Sequence, residues 1–76
     1  MFSYNVSKNA DKKAFDSICS CIEATISIEK KENCLKDVDG SLIQIYKTTS
    51  GQIKVCNDYE VDAVYVDSEV NLDKII

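Results

Sequence analysis

The chain has 76 residues, enough for one domain, and its 45% hydrophobic and 29% charged content is globular rather than disordered. Nine lysines against thirteen carboxylates give a net charge of −4, which disfavours unaided binding to nucleic acid. Histidine, tryptophan, proline and arginine are absent, so most of the usual catalytic and phosphate-gripping side chains are missing.

In chain order, Phe2, Tyr4 and Val6 alternate with polar residues and predict a short N-terminal strand or extended arm. Residues 7–9 offer helix caps, with Asp11 suited to the first turn. Ala14, Phe15, Ile18, Cys19, Ile22, Thr25 and Ile26 then recur in steps of three and four, the pattern of one helical face. The spacing predicts a long helix over residues 10–31. Thr25-Ile26-Ser27-Ile28 is β-branched and alternating, which competes as a strand, but continuing three formed turns favours helix.

Lys36-Asp37-Val38-Asp39-Gly40 reads as a turn. It resembles part of a calcium loop only superficially: aligning Gly40 with loop position 6 puts Leu35 and Tyr46 where acidic ligands belong. Three alternating segments follow, at residues 41–47, 52–56 and 59–67, separated by Thr48-Thr49-Ser50-Gly51 and by Asn57-Asp58. Leu42, Gln44 and Tyr46 share one face of the first, with Ile43, Ile45 and Lys47 on the other. Gly51 suits a left-handed backbone position. Ser68 caps a predicted short C-terminal helix through Val70, Leu72, Ile75 and Ile76. The expected fold is therefore α+β, with one long helix on a three-stranded antiparallel meander. Its uncovered face would carry Ile43 and Ile45, with Val64 and Val66 beside them.

The opening residues carry no basic or apolar leader pattern and no apolar run reaches membrane length, so the expected setting is the cytoplasm, away from membranes. Cys19, Cys21, Cys34 and Cys56 are then expected as free thiols, acting as small hydrophobes. Only Cys19 and Cys21 approach a zinc spacing, and on a helix their side chains diverge by about 200°. No cofactor or metal is implied. No histidine stands beside a nucleophile, and two isolated glycines make no phosphate loop, so the expectation is a protein that is not an enzyme.

Charge is the uneven feature. Residues 1–56 hold eight lysines and seven carboxylates, for +1, whereas residues 57–76 hold Lys74 and six carboxylates, for −5. On a strand, Asp58, Glu60 and Asp62 would project from one face about 6.7 Å apart. Such a row steers a basic partner, and tyrosines beside it supply contact area. The expected partner-binding residues are Asp58, Tyr59, Glu60, Asp62, Tyr65, Asp67 and Glu69. The same charges on an edge strand would also serve solubility.

The lysine-only cation usage fits an AT-rich genome such as those of many phages and mobile elements. In size, acidity and lack of catalytic groups the chain resembles, in type and without any shared motif, phage-encoded inhibitors such as anti-CRISPR proteins. The expected function is a small acidic protein-binding inhibitor, of anti-CRISPR or immunity type. It would occlude a basic, nucleic-acid-handling protein and make no direct contact with nucleic acid. The alternative is a structural homodimer, or a small subunit, that buries the second sheet face or pairs an edge strand.

Overall fold

The computed structural model describes all 76 residues. Its elements are β1 (Phe2–Ser7), α1 (Lys12–Thr25), β2 (Lys30–Lys31), β3 (Leu35–Lys36), β4 (Leu42–Thr48), β5 (Gly51–Asp58) and β6 (Ala63–Ser68). The fold is α+β: one helix on a six-stranded antiparallel sheet of order β1-β6-β5-β4-β2, with β3 also paired to β4. The meander of β4, β5 and β6 forms as the alternation predicts. It is the centre of a wider sheet, because β1 adds to β6 and the chain after the helix adds β2 and β3.

The helix starts two residues later than its pattern suggests. Asp11 is the N-cap, in extended backbone, and its Oδ1 accepts the N–H groups of Lys13 (2.9 Å) and Ala14 (3.5 Å). Phe15, Ile18, Cys19 and Ile22 form the buried stripe. The helix ends at Thr25, six residues short of the predicted boundary. Ile26 is extended (φ −102°, ψ 137°), although its N–H still donates to the Ile22 carbonyl at 2.8 Å. Residues 25–28 do not form a strand either: Thr25 closes the helix, residues 26–28 are irregular, and the backbone joins β4 only beyond them, where Glu29 N–H donates to Lys47 O and Glu32 N–H to Ile45 O. Those sheet bonds, together with inward packing of Ile26 and Ile28 on the core, outweigh another turn of helix.

Directly paired residues of antiparallel strands share a face. Gln44, Val55, Val66 and Tyr4 make one row beneath the helix, and Tyr46–Ile53 and Asn57–Val64 lie parallel to it. Ile22, Tyr46, Ile53, Val55, Val64 and Val66 are fully buried there. Val64 and Val66 thus sit under the helix rather than on the open face. The last strand begins at Ala63, not at residue 59, and it is Ala63, Tyr65 and Asp67 that point away.

The C-terminal helix does not form. Ser68 Oγ accepts the Val70 N–H at 2.9 Å, and the chain closes in a single turn where Ile75 and Ile76 donate to the Leu72 carbonyl. Leu72 is buried, and its N–H donates to Tyr4 Oη at 2.8 Å, so the tail is pinned to β1. Ser68, Tyr4 and the core contact of Leu72 hold the segment better than one short helix could hold itself.

At the β4–β5 hairpin Gly51 has φ +138°, and a Cβ there would lie 2.7 Å from Glu69 Cβ. Glu69 Oε1 in turn accepts the Gln52 N–H at 2.8 Å. Replacing Gly51 with alanine is expected to destabilise the fold by about 1 kcal/mol or more through strain and this contact. Ile22→Ala, which empties the centre of the helix–sheet layer, should lose about 2–5 kcal/mol. Urea denaturation of each variant measures both effects.

Candidate interaction surface

The β5–β6 connection shows why the acidic residues do not form a row. β5 ends at Asp58, whose Oδ1 accepts the N–H groups of Glu60 (2.9 Å) and Val61 (3.3 Å). This side-chain turn curls residues 59–62 away from strand geometry. Val61 is consequently 63% exposed instead of alternating inward.

Asp62 adopts φ 55°, a left-handed backbone that aspartate tolerates better than most residues. Its carboxylate accepts the Ala10 N–H at 2.7 Å and the Asn9 amide at 3.0 Å. Beside it the Asp11 N–H donates to Asn57 Oδ1 at 3.0 Å, while the buried Asn57 Nδ2 has no partner. Asp62 and Asn57 thereby clamp the approach to the helix onto the end of the sheet. Both side chains are engaged in holding the backbone at this end of the sheet.

Asp58 and Glu60 find different neighbours. With Asp37 and Asp39 from the β3–β4 turn they surround a notch of about 90 Å³, walled also by Ile43, Cys56 and Tyr65. Asp37 Oδ1 accepts the Val38 N–H at 2.7 Å, and Asp39 Oδ1 accepts the Ser41 N–H at 2.9 Å. Asp37, Asp39 and Asp58 each use a carboxylate oxygen to set their own turn, and Asp39 also takes the Ser41 hydroxyl. All four ion pairs of the molecule lie elsewhere, at Lys12–Asp16, Lys30–Glu32, Lys31–Glu23 and Lys47–Glu32. The notch is therefore anionic and carries no ammonium of its own.

From it a row of side chains crosses the uncovered face: Leu35, Ile43, Cys56, Tyr65 and Asn5. Leu35 is 57% exposed, and Ile43 and Tyr65 are half-buried. Tyr65 is held against Cys56, and that hydrogen bond, with burial, pushes the phenol up to about 12. Tyr65 is neutral at physiological pH.

The remaining predicted residues are dispersed. Tyr59, 47% exposed, lays its ring over Gly40 (φ +91°) in a second groove that also borders Lys12, Lys36 and Asn57. Its N–H donates to Ser41 Oγ, which ties the two turns together. Asp67 and Glu69 lie toward the opposite end, near Gln52 and Lys54, where Asp67 accepts from Ser3 Oγ at 2.9 Å. The predicted set thus divides: Asp58, Glu60 and Tyr65 converge, while Tyr59, Asp62, Asp67 and Glu69 do not join them. Asp37 and Asp39 were missing from the set. Their turn precedes β4, and β4 pairs with β5, so a hairpin read from the alternation would already place them beside Asp58.

The grouping closest to a catalytic site is on the helix side. Tyr46, fully buried, donates to Glu23, whose carboxylate also lies 3.1 Å from Lys31 Nζ. Cys19 and Cys34 line the same cleft. Burial pushes the Cys19 thiol up to about 11, so it is protonated and a poor nucleophile at neutral pH. The Tyr46 hydroxyl, and Lys31 after it, hold Glu23 below the usual carboxylate range. These groups clasp the helix to β4. All four cysteines are free; Cys19 and Cys56 are buried, and Cys34 is exposed. No three His, Cys, Asp or Glu side chains converge to hold a metal ion, and no helix is long and apolar enough to cross a membrane.

Comparison with protein-family models, curated proteins and solved structures gives no match to this chain.

The clamp at Asp62 carries a pH signature. The Ala10 N–H, then the Asn9 amide, lower its pKa in the fold. A depressed carboxylate stabilises the fold above its unfolded value of about 3.9, and that contribution is lost as pH falls through the lower folded value. Asp62→Asn should therefore lower the melting temperature at neutral pH, with the gap closing in acid below the ordinary aspartate range. Thermal melts followed by circular dichroism across pH check this.

Proposed function

We propose that this chain is a binding protein that attaches to a basic, nucleic-acid-handling protein and blocks it by steric and electrostatic occlusion. The carrying observation is the notch at Asp37, Asp39, Asp58 and Glu60, four carboxylates without an internal counter-ion beside the exposed flank of an open sheet face. Carboxylates in this state raise the encounter rate with a cationic surface. A lysine or arginine side chain of the partner fits the chemistry of the notch, with the Tyr65 ring and Ile43 for its aliphatic stem.

Contact area comes from Leu35, Ile43, Ile45 and Tyr65, the apolar part of the face left uncovered. Asp67 and Glu69 extend the negative field along the same sheet without joining the notch. The setting is the cytoplasm, that of a host cell if the chain is phage-encoded, and the mode of action is that of an anti-CRISPR or immunity-type antagonist.

The test begins with affinity capture from a candidate host lysate and identification of the partner by mass spectrometry. The partner must be a nucleic-acid-handling protein with a basic surface. Asp39→Asn, Asp58→Asn and Glu60→Gln together keep the amide acceptors of the turns while removing three charges. The triple variant should bind the captured partner about tenfold or more weakly, mainly through slower association, and salt should weaken the unmodified complex. Unchanged affinity in the triple variant, or a partner without a basic surface, overturns the reading.

A further inference from the structure

The two edges of the sheet are built differently. On one side β2 and β3 are two-residue strands carrying Lys30, Lys31 and Lys36, the short lysine-bearing form that discourages pairing with another chain. On the other side β1 runs six residues, Phe-Ser-Tyr-Asn-Val-Ser, without a charge or a proline. Residues 2–5 pair with β6 in regular register, and the one irregularity falls between Asn5 and Ser7.

β1 ends the strand order, so its second row of backbone N–H and C=O groups faces away from the sheet. None of the backbone bonds made outside the regular elements involves residues 2–7. Phe2, 39% exposed, stacks on Tyr4 with ring centroids 6.5 Å apart and an interplanar angle of 16°. The strand is stiffened from behind, since Tyr4 Oη donates to Asp73 at 2.9 Å and accepts the Leu72 N–H.

We propose that β1 is the docking edge for a second copy of this chain, which adds its own β1 in antiparallel fashion about a two-fold axis. Charge decides where a second copy can approach. At −4 the chain repels itself wherever its carboxylates gather, and β1 is the edge that carries no charge at all. Two identical strands run antiparallel are self-complementary, as a two-fold interface requires. The axis stands perpendicular to the joined sheet, so both helices lie on one side with the two Phe2–Tyr4 stacks between them. The uncovered faces then form one continuous surface. The interface is separate from the acidic notch, so hydrogen-exchange protection at β1 and partner binding at the notch are read independently.

Sedimentation velocity over a series of micromolar concentrations tests the assignment, the expected species having twice the 8.5 kDa chain mass. Asn5→Lys places like charges on both copies near the axis and should weaken the dimer about tenfold or more. Hydrogen exchange on the unmodified chain provides a second measurement that does not depend on the variant folding. Amides of residues 2–5 should gain protection as concentration rises, while those of residues 59–62 stay unchanged. A monomer throughout the series, a dimer protected at β2 and β3 or on the open face instead, or protection of β1 only after an extended peptide is added, overturns the proposal.

Discussion

A single helix covers a single face of a sheet, and this asymmetry governs the molecule. Strand alternation sends every second side chain of β4, β5 and β6 toward α1 and the rest away from it. The inward set is apolar and fully buried at Tyr46, Ile53, Val55, Val64 and Val66. The outward set mixes Leu35, Ile43, Ile45, Cys56 and Tyr65 with Lys54 and Asp67, a composition suited to water and to a partner alike.

Several acidic side chains have a first duty to the backbone. Asp11 caps the helix, Asp58 and Asp39 shape turns, Asp62 holds the linker before α1, and Glu69 accepts from the hairpin. Acidity in this chain is therefore partly turn and cap chemistry, which accounts for much of the clustering after residue 57 without any partner. What local structure does not neutralise is the charge of Asp37, Asp39, Asp58 and Glu60, none of which is ion-paired within the chain. The proposed binding role attaches to that remainder rather than to the total charge.

The notch and the β1 edge are complementary in kind. One concentrates negative charge and resists contact between copies; the other is uncharged and offers main-chain hydrogen bonds. Pairing along β1 would leave both notches available, so a dimer would present its acidic ends in duplicate. Two linked weak sites of that sort gain avidity from their effective concentration.

The order strand, helix, antiparallel meander was legible from periodicity alone, as were Phe15, Ile18, Cys19 and Ile22 as the buried stripe and Ile43 and Ile45 as open-face residues. These properties follow from side-chain spacing along the chain, which is local. Helix termination at Thr25 and the loss of the C-terminal helix were decided by tertiary contacts. The β4 edge offered residues 29–32 hydrogen bonds, and Tyr4 and the core took Leu72. The acidic notch was legible only through the pairing of β4 with β5, not through the charge pattern of either segment alone. Asp37 and Asp39 stand about twenty residues before Asp58 and Glu60, and only the pairing of β4 with β5 brings the two turns side by side. Composition and period thus determined which segments hide and which meet water, because burial acts on each segment's own pattern. The folded sheet decided which distant carboxylates share a field, because electrostatic proximity depends on register and turn geometry across strands.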